Sequence, residues 1–396
     1  MAHIVIIGAG VTGVPMAHEV NEYARPGDRI TLVSEASNFH FLPSNPWGAV
    51  VHGEQGDVDF PIGPRLEQAG MSFTAAGARR VHADRNQVEL RDGSVLDYDF
   101  LVIATGPRLA FDEIEGLGPK GYTQSVCHVD HAAASREAWE RFVAEPGPVV
   151  VGAVQGACCF GPAYECVFAL EADLRRRNIR ERAPITFVTA EPYIGHLGVG
   201  GVGGSRSLLE TAMREKDIRW IANARVAKVE PDRMYLREYD EEGRLTNEQV
   251  LPFKYSMMMP AFKGLDAVIG IEGLTNARGF VLIDEFQRNP KFRNVYAAGV
   301  AVASSPVEPR PVPAEAPRTG YMIESMVAAV ARNIRDQLDG KEPSQTADWS
   351  IASLADLGHS GIAFVGQPQI PPRKVNWFAE GEWVYLPRCS SCDVGS

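Results

Sequence analysis

The first thirteen residues constrain the fold more than any other stretch. In MAHIVIIGAGVTG an apolar, strand-like run meets Gly8, Gly10 and Gly13 in GxGxxG spacing, and the amphipathic pattern VPMAHEV follows without a break. The glycines allow a tight strand-to-helix turn, let a pyrophosphate approach the backbone and let the helix pack closely on the strand. The amides at the helix N-terminus then hold the anion. RITLVSEA, from Arg29, supplies a second strand ending on Glu35, 22 residues beyond Gly13, where a carboxylate can accept ribose hydroxyls. The chain therefore opens on a βαβ dinucleotide-binding unit.

Two later strand ends belong with this unit. DYDFLVIATG closes at 104–106 and FRNVYAAG at 297–299, and each places small residues where backbone must come close to a bound cofactor. Thr105, Gly106 and Gly299 thus join Gly8, Gly10, Gly13 and Glu35 as expected cofactor contacts, and the combination favours FAD over NAD at this first site.

A chain of 396 residues exceeds one typical domain, and a second α/β pattern starts after the linker around Gly116, Gly118 and Pro119. PGPVVVGAVQGACCFGPAYECVFALEADL reads as strand, turn and helix, and ITFVTAEPYIG as the next strand. The expected fold class is α/β, with two Rossmann-like dinucleotide-binding domains and a small C-terminal segment. Residues 1–112 and 282–341 form the first domain, 113–281 the second, and 342–396 the segment.

The second glycine turn differs from the first. In GAVQGACCFG, Gly152, Gly156 and Gly161 stand at spacings of four and five, and Cys158, Cys159 and Phe160 occupy the start of the helix. A helix N-terminus stabilises a thiolate, so this turn reads as a nucleotide pocket converted into a sulfur site, with Cys159 as its reactive thiol. Small buried core residues are the plainer reading of cysteines in such a stretch; that reading fits Cys166, seven residues beyond Cys159.

Composition excludes several classes. With 39 basic against 50 acidic residues and a formal charge of −11, the chain is a poor nucleic-acid ligand. Six cysteines in a chain this long do not suggest a disulfide scaffold, no secretory leader opens it, and no apolar run reaches 18 residues. A cytoplasmic location follows, with peripheral attachment to the inner face of the plasma membrane open. Cys389 and Cys392 form a lone CxxC without a second His/Cys pair, so no metal site is expected.

Taken in order, IVIIGAGVTG, FLPSNPWGAV, DYDFLVIATGPRLAF, QSVCHVDHA, GACCFGPAYE, PYIGHLGVGGVG, MMMPAFKG, PRTGYMIESMV and LADLGHSGIAFVGQPQIPPRKVNWF resemble the sulfide:quinone oxidoreductases. They resemble more loosely the flavoprotein subunit of flavocytochrome c sulfide dehydrogenase. The resemblance implies an FAD enzyme that oxidises hydrosulfide. HS⁻ attacks a cysteine disulfide or polysulfide bridge, electrons pass through FAD to a quinone, and sulfur leaves as polysulfide. It implies Cys159 beside the flavin, Cys127 as a companion cysteine, His131 and His196 on the sulfide side, Glu165 as an acid/base candidate and Lys263 among the cofactor contacts. A homo-oligomer and contact with a membrane surface are expected as well.

Two departures bear on this expectation. Where the resemblance places the second bridge cysteine, the chain has Ser353, so the partner of Cys159 is Cys158 in a strained vicinal bridge, Cys127, the pair Cys389 and Cys392, or absent. The sequence also ends ten residues after Leu386, where quinone-reducing members continue into amphipathic membrane-seating helices. The alternatives are electron transfer to a soluble cytochrome, or a sulfur-binding flavoprotein without turnover. The degenerate second turn argues against NADH as reductant.

Overall fold

The computed structural model describes residues 1–41, 45–49, 59–357 and 360–381. Along the chain come β1 (His3–Ile7), α1 (Gly13–Glu22), β2 (Arg29–Val33), β3 (Ser72–Thr74) and β4 (Phe100–Ile103). Next are α2 (Val129–Ala144), β5 (Val149–Ala153), α3 (Gly161–Arg176), β6 (Ile185–Thr189), β7 (Ile218–Ile221) and β8 (Tyr255–Met259). The chain then returns through β9 (Val295–Ala297) and α4 (Gly320–Leu338) to the hairpins β10 (Ile351–Asp356), β11 (Gly361–Gln367) and β12 (Val375–Gly381).

The first sheet runs β9-β4-β1-β2-β3 and the second β7-β6-β5-β8, all parallel. These are doubly wound arrangements, as the βαβ reading requires. Parallel sheets are covered on both faces, so their strands read as continuous apolar runs. In β1, Ile4 and Ile6 point into the cluster made with Met16 and Val20 of α1 and Met326 and Val330 of α4. Val5 and Ile7 enter the cluster on the opposite face. Each such fully buried side chain contributes about 1.5–3 kcal/mol.

The antiparallel sheet β10-β11-β12 is apolar on both faces. Ile351, Ala355, Ile362 and Phe364 join the core of the second unit, which also holds Phe168 and Leu170 of α3. The other face carries Leu354, Val375 and Trp377, exposed to 44, 39 and 45%.

Candidate active site

At the first turn, protein packing dictates two of the three glycines and an open face accounts for the third. Gly8 has φ +103°, and a Cβ there would stand 2.4 Å from the Ala104 carbonyl oxygen; at Gly13 it would lie 1.6 Å from that of Gly8. Gly10 has no atom within 4 Å of such a Cβ, nor does Gly106, whose φ is +66°. These open positions lie at the β1/β4 switch point, because Ile7 and Ile103 are paired in register. Gly299 closes the same end. Its φ is +71°, and a Cβ would meet Thr12 Oγ1 at 2.3 Å, so the turn after β9 is pressed against the N-terminus of α1. Thr105 is half-buried, its hydroxyl bonded to the Gly106 carbonyl. Glu35 follows β2 with an exposed carboxylate, paired to Arg91 at 2.7 Å. Helix amides, an open glycine face and a carboxylate at the second strand's end fit a dinucleotide, with its pyrophosphate on α1. Lys263 sits apart from these groups in the contacts it makes, bonded to Asp112 at 2.8 Å.

The second turn is closed at Gly152 and Gly156 and open only at Gly161. Gly152, read from sequence as part of the turn, lies inside β5, where any Cβ would collide with the Val188 carbonyl oxygen at 1.7 Å. Gly156, with φ +76°, donates its N–H to the Pro313 carbonyl (2.7 Å), and Glu315 N–H donates to the Ala157 carbonyl (3.0 Å). The strap 312–316 therefore lies along the turn where a pyrophosphate would need free amides. Glu191, two residues after β6 as Glu35 is two after β2, is fully buried. It accepts hydrogen bonds from Tyr164 OH (2.8 Å), Thr189 Oγ1 (2.8 Å) and Leu197 N–H (2.6 Å). Burial outweighs these donors and raises its pKa to about 7.

The thiols gather beside this turn. Helix α3 begins at Gly161, so Cys158 and Cys159 precede it rather than form its first turn. Their Sγ atoms are 3.5 Å apart. Cys158 packs against Phe262 and Phe280, and Cys159, Leu109 and Val300 complete this cluster, which brings the pair next to the Gly299 turn. The Cys159 contact and burial push the Cys158 thiol well up, with the charge of Glu315 adding to them and that of Arg318 opposing. Arg318 is buried, bonded to the carbonyls of Ala316 and Val302, with Nε unpartnered among the described residues. Cys127 Sγ faces Met259 Sδ at 3.8 Å, and burial lifts its thiol to about 12. Cys166 is sealed in the core, lifted to about 12 by burial. Ser353 pairs with Phe364 across the β10/β11 ladder. Cys389 and Cys392 lie outside the described residues.

His131, on α2, packs edge-on to Phe111 (5.9 Å) and against His128 (5.6 Å), and its Nδ1 is buried without a partner among the described residues. Burial, then His128, lowers its pKa. His196 is buried, with Nε2 3.7 Å from Glu308 Oε1, and burial depresses it to about 4. It packs against Tyr193, which lines a cavity of about 440 Å³ with Arg206, Arg373 and Asn376. Glu165, also buried, accepts the Asp356 N–H at 3.3 Å and ties α3 to β10. Arg318 and Glu191 were not singled out from sequence. The equal offset of Glu35 and Glu191 from their strands could have revealed the second.

A profile of the pyridine nucleotide-disulphide oxidoreductases matches residues 2–319. Over 385 residues the chain is 36% identical to the sulfide-quinone reductase of Aquifex aeolicus, covering 97% of this chain and 87% of that protein. It is 23% identical over 305 residues to the mitochondrial sulfide:quinone oxidoreductase of Mus musculus, covering 75% and 64%. The crystal structure of the Aquifex aeolicus sulfide:quinone oxidoreductase superimposes with a TM-score of 0.93 at 36% identity, covering all of this chain and 90% of that one.

Proposed function

Because the chain belongs to the pyridine nucleotide-disulphide oxidoreductase family, in its sulfide-quinone reductase branch, we propose that it oxidises sulfide through a cysteine beside bound FAD and passes the electrons to a quinone. The observation that carries this reading is the placement of the Cys158 and Cys159 thiols against Val300, directly after the Gly299 turn of the cofactor cradle.

Gly8, Gly10, Gly13, Glu35, Thr105, Gly106 and Gly299 would hold the cofactor, with Lys263 at the edge of the site. FAD supplies a two-electron acceptor that is re-oxidised by quinone. The remaining work falls to the chain. Cys159, the more accessible thiol of the pair, receives HS⁻ at Sγ, and Cys127 stands by as a companion thiol. His131, neutral at neutral pH with a ring nitrogen unpartnered among the described residues, takes the proton of incoming H₂S. His196, held neutral by burial, orients the loop that lines the adjacent cavity. Glu165 acts in place through its tie to β10 rather than as a free acid.

The apolar outer face of β10-β12, with Leu354, Val375 and Trp377, is the surface we assign to peripheral membrane contact on the cytoplasmic side, where a quinone is met. Among the described residues no helix is long and apolar enough to cross a membrane. Quinone is favoured over a cytochrome by the acceptor in the names of both sulfide-oxidising relatives. Anaerobic sulfide addition tests the reading. Flavin absorbance should bleach and return on adding a soluble quinone; return only with a cytochrome, or no bleaching, would overturn it.

A further inference from the structure

The sulfur chemistry proposed above needs a second sulfur atom to bridge with Cys159, and the structure offers one. Cys158 Sγ lies 3.5 Å from Cys159 Sγ. A direct disulfide would need about 2.05 Å, whereas one sulfur inserted between them, with two bonds of that length meeting at a bent centre, spans roughly 3.3 Å. Adjacent cysteines joined directly also close a small ring against a planar peptide, and an inserted atom enlarges it. The pair is thus spaced for a bridge of one added sulfur with little movement. The other described thiols are less well placed, although Cys127 is near enough to feel the charge of Cys158. Cys127 meets Met259, Cys166 is enclosed within α3, and Ser353 has no sulfur.

We propose that Cys158 is the bridge partner of Cys159, so that the two adjacent cysteines hold the sulfane sulfur between them. This rests on the sulfide-oxidising reading. HS⁻ attacks Sγ of Cys159, forming a new S–S bond there, while the bond from that Sγ to the bridging sulfur breaks. The bonding pair leaves with the bridging sulfur, which remains on Cys158 as a persulfide anion. Cys159 becomes a neutral persulfide, so atoms and charge balance. Joining the two outer sulfurs restores the bridge, lengthened by one sulfur, and releases one proton and two electrons, which the bound flavin of the parent reading accepts. Arg318, buried with Nε unpartnered among the described residues, is the positive charge felt at Cys158 and favours an anion there against burial and the charge of Glu315. Burial of Cys158 keeps competing thiols away from it.

The test reads sulfur on one peptide. Trypsin releases residues 142–175, which contain Cys158, Cys159 and Cys166. The holoenzyme is treated anaerobically with sulfide, re-oxidised with a soluble quinone, and denatured in acid with an alkylating reagent and no reductant. The expected peptide carries one alkyl group, on Cys166, plus whole added sulfur atoms; prior reduction gives three alkyl groups and no added sulfur. In Cys158→Ser the bridge mass is lost and Cys159 becomes alkylated, while Cys389→Ser/Cys392→Ser and Cys127→Ser keep it. Three alkyl groups without reductant, or Cys159 linked to another peptide in the wild type, would overturn the proposal. Cys158→Ala, judged by circular dichroism and retained flavin, separates misfolding from bridge loss. If the bridge mass is present but sulfide never bleaches the flavin, the parent reading fails and the cysteine pairing stands.

Discussion

The Tyr164 hydroxyl donates a 2.8 Å hydrogen bond to Glu191 and receives one from the Gly195 N–H at 2.9 Å. The carboxylate at the end of β6, which in a nucleotide-binding unit would face a ribose, is instead bound to the protein itself. Together with the strap across Gly156, this leaves the second Rossmann unit without the groups that would hold a dinucleotide.

NADH should therefore leave the flavin oxidised under anaerobic conditions in which sulfide bleaches it. Stopped-flow absorbance decides the matter, and fast reduction by NADH alone would show that the strap moves aside.

Glu191 should impose a stability slope. Its folded pKa, raised by burial from 4.5 to about 7, means that the native state binds the proton more tightly. Stability is then greatest below 4.5 and falls as pH rises through 7, by up to about 3 kcal/mol. Glu191→Gln should lose this slope in urea midpoints measured from pH 5 to 8.

His196 should act with the opposite sign. Depressed from 6.5 to about 4, it is neutral in the fold while the unfolded chain takes up the proton. Stability falls as pH drops from 6.5 towards 4, again by up to about 3 kcal/mol. Between 4.5 and 6.5 the two groups partly cancel. His196→Asn should therefore steepen the decline of stability with rising pH in that window, and an unchanged profile would count against the buried neutral imidazole.

The glycines of the first turn should separate by phenotype. A Cβ at Gly10 has no protein atom within 4 Å, so Gly10→Val should fold and purify colourless. Gly13→Ala drives a methyl into the Gly8 carbonyl and should cost more than about 3 kcal/mol. Flavin absorbance and denaturant midpoints distinguish the two.

Trp377→Glu, on the exposed face of β12, should reduce co-sedimentation with anionic lipid vesicles while leaving sulfide bleaching of the flavin intact. Equal sedimentation would remove this sheet from the membrane contact.

The opening βαβ unit was legible because each element carries a local mark: apolar strands, spaced glycines, and Glu35 at a fixed offset. Gly152 was misread as a turn residue because a glycine required by the neighbouring Val188 carbonyl looks the same in sequence as one required by a turn. The strap was invisible, since its hydrogen bonds come from the main chain of Pro313 and Glu315, far along an irregular segment with no periodicity. Cys158 stood among several possible partners of Cys159, and spacing alone did not choose between them. Adjacent side chains diverge in a strand, and only the turn ahead of α3 lets both sulfurs meet. Arg318 carried no mark of its own until burial placed it beside Cys158.

The strap also sets a limit for engineering. Because residues 312–316 fill the notch from a distant part of the chain, restoring a GxGxxG spacing at 152–161 would not return NADH use. The intruding main chain would have to be shortened or rerouted as well, and the same segment leads directly into Arg318. A variant that regains the nucleotide would thereby disturb the anion-stabilising group beside the thiols, so this scaffold cannot readily accept electrons from both sulfide and a nicotinamide.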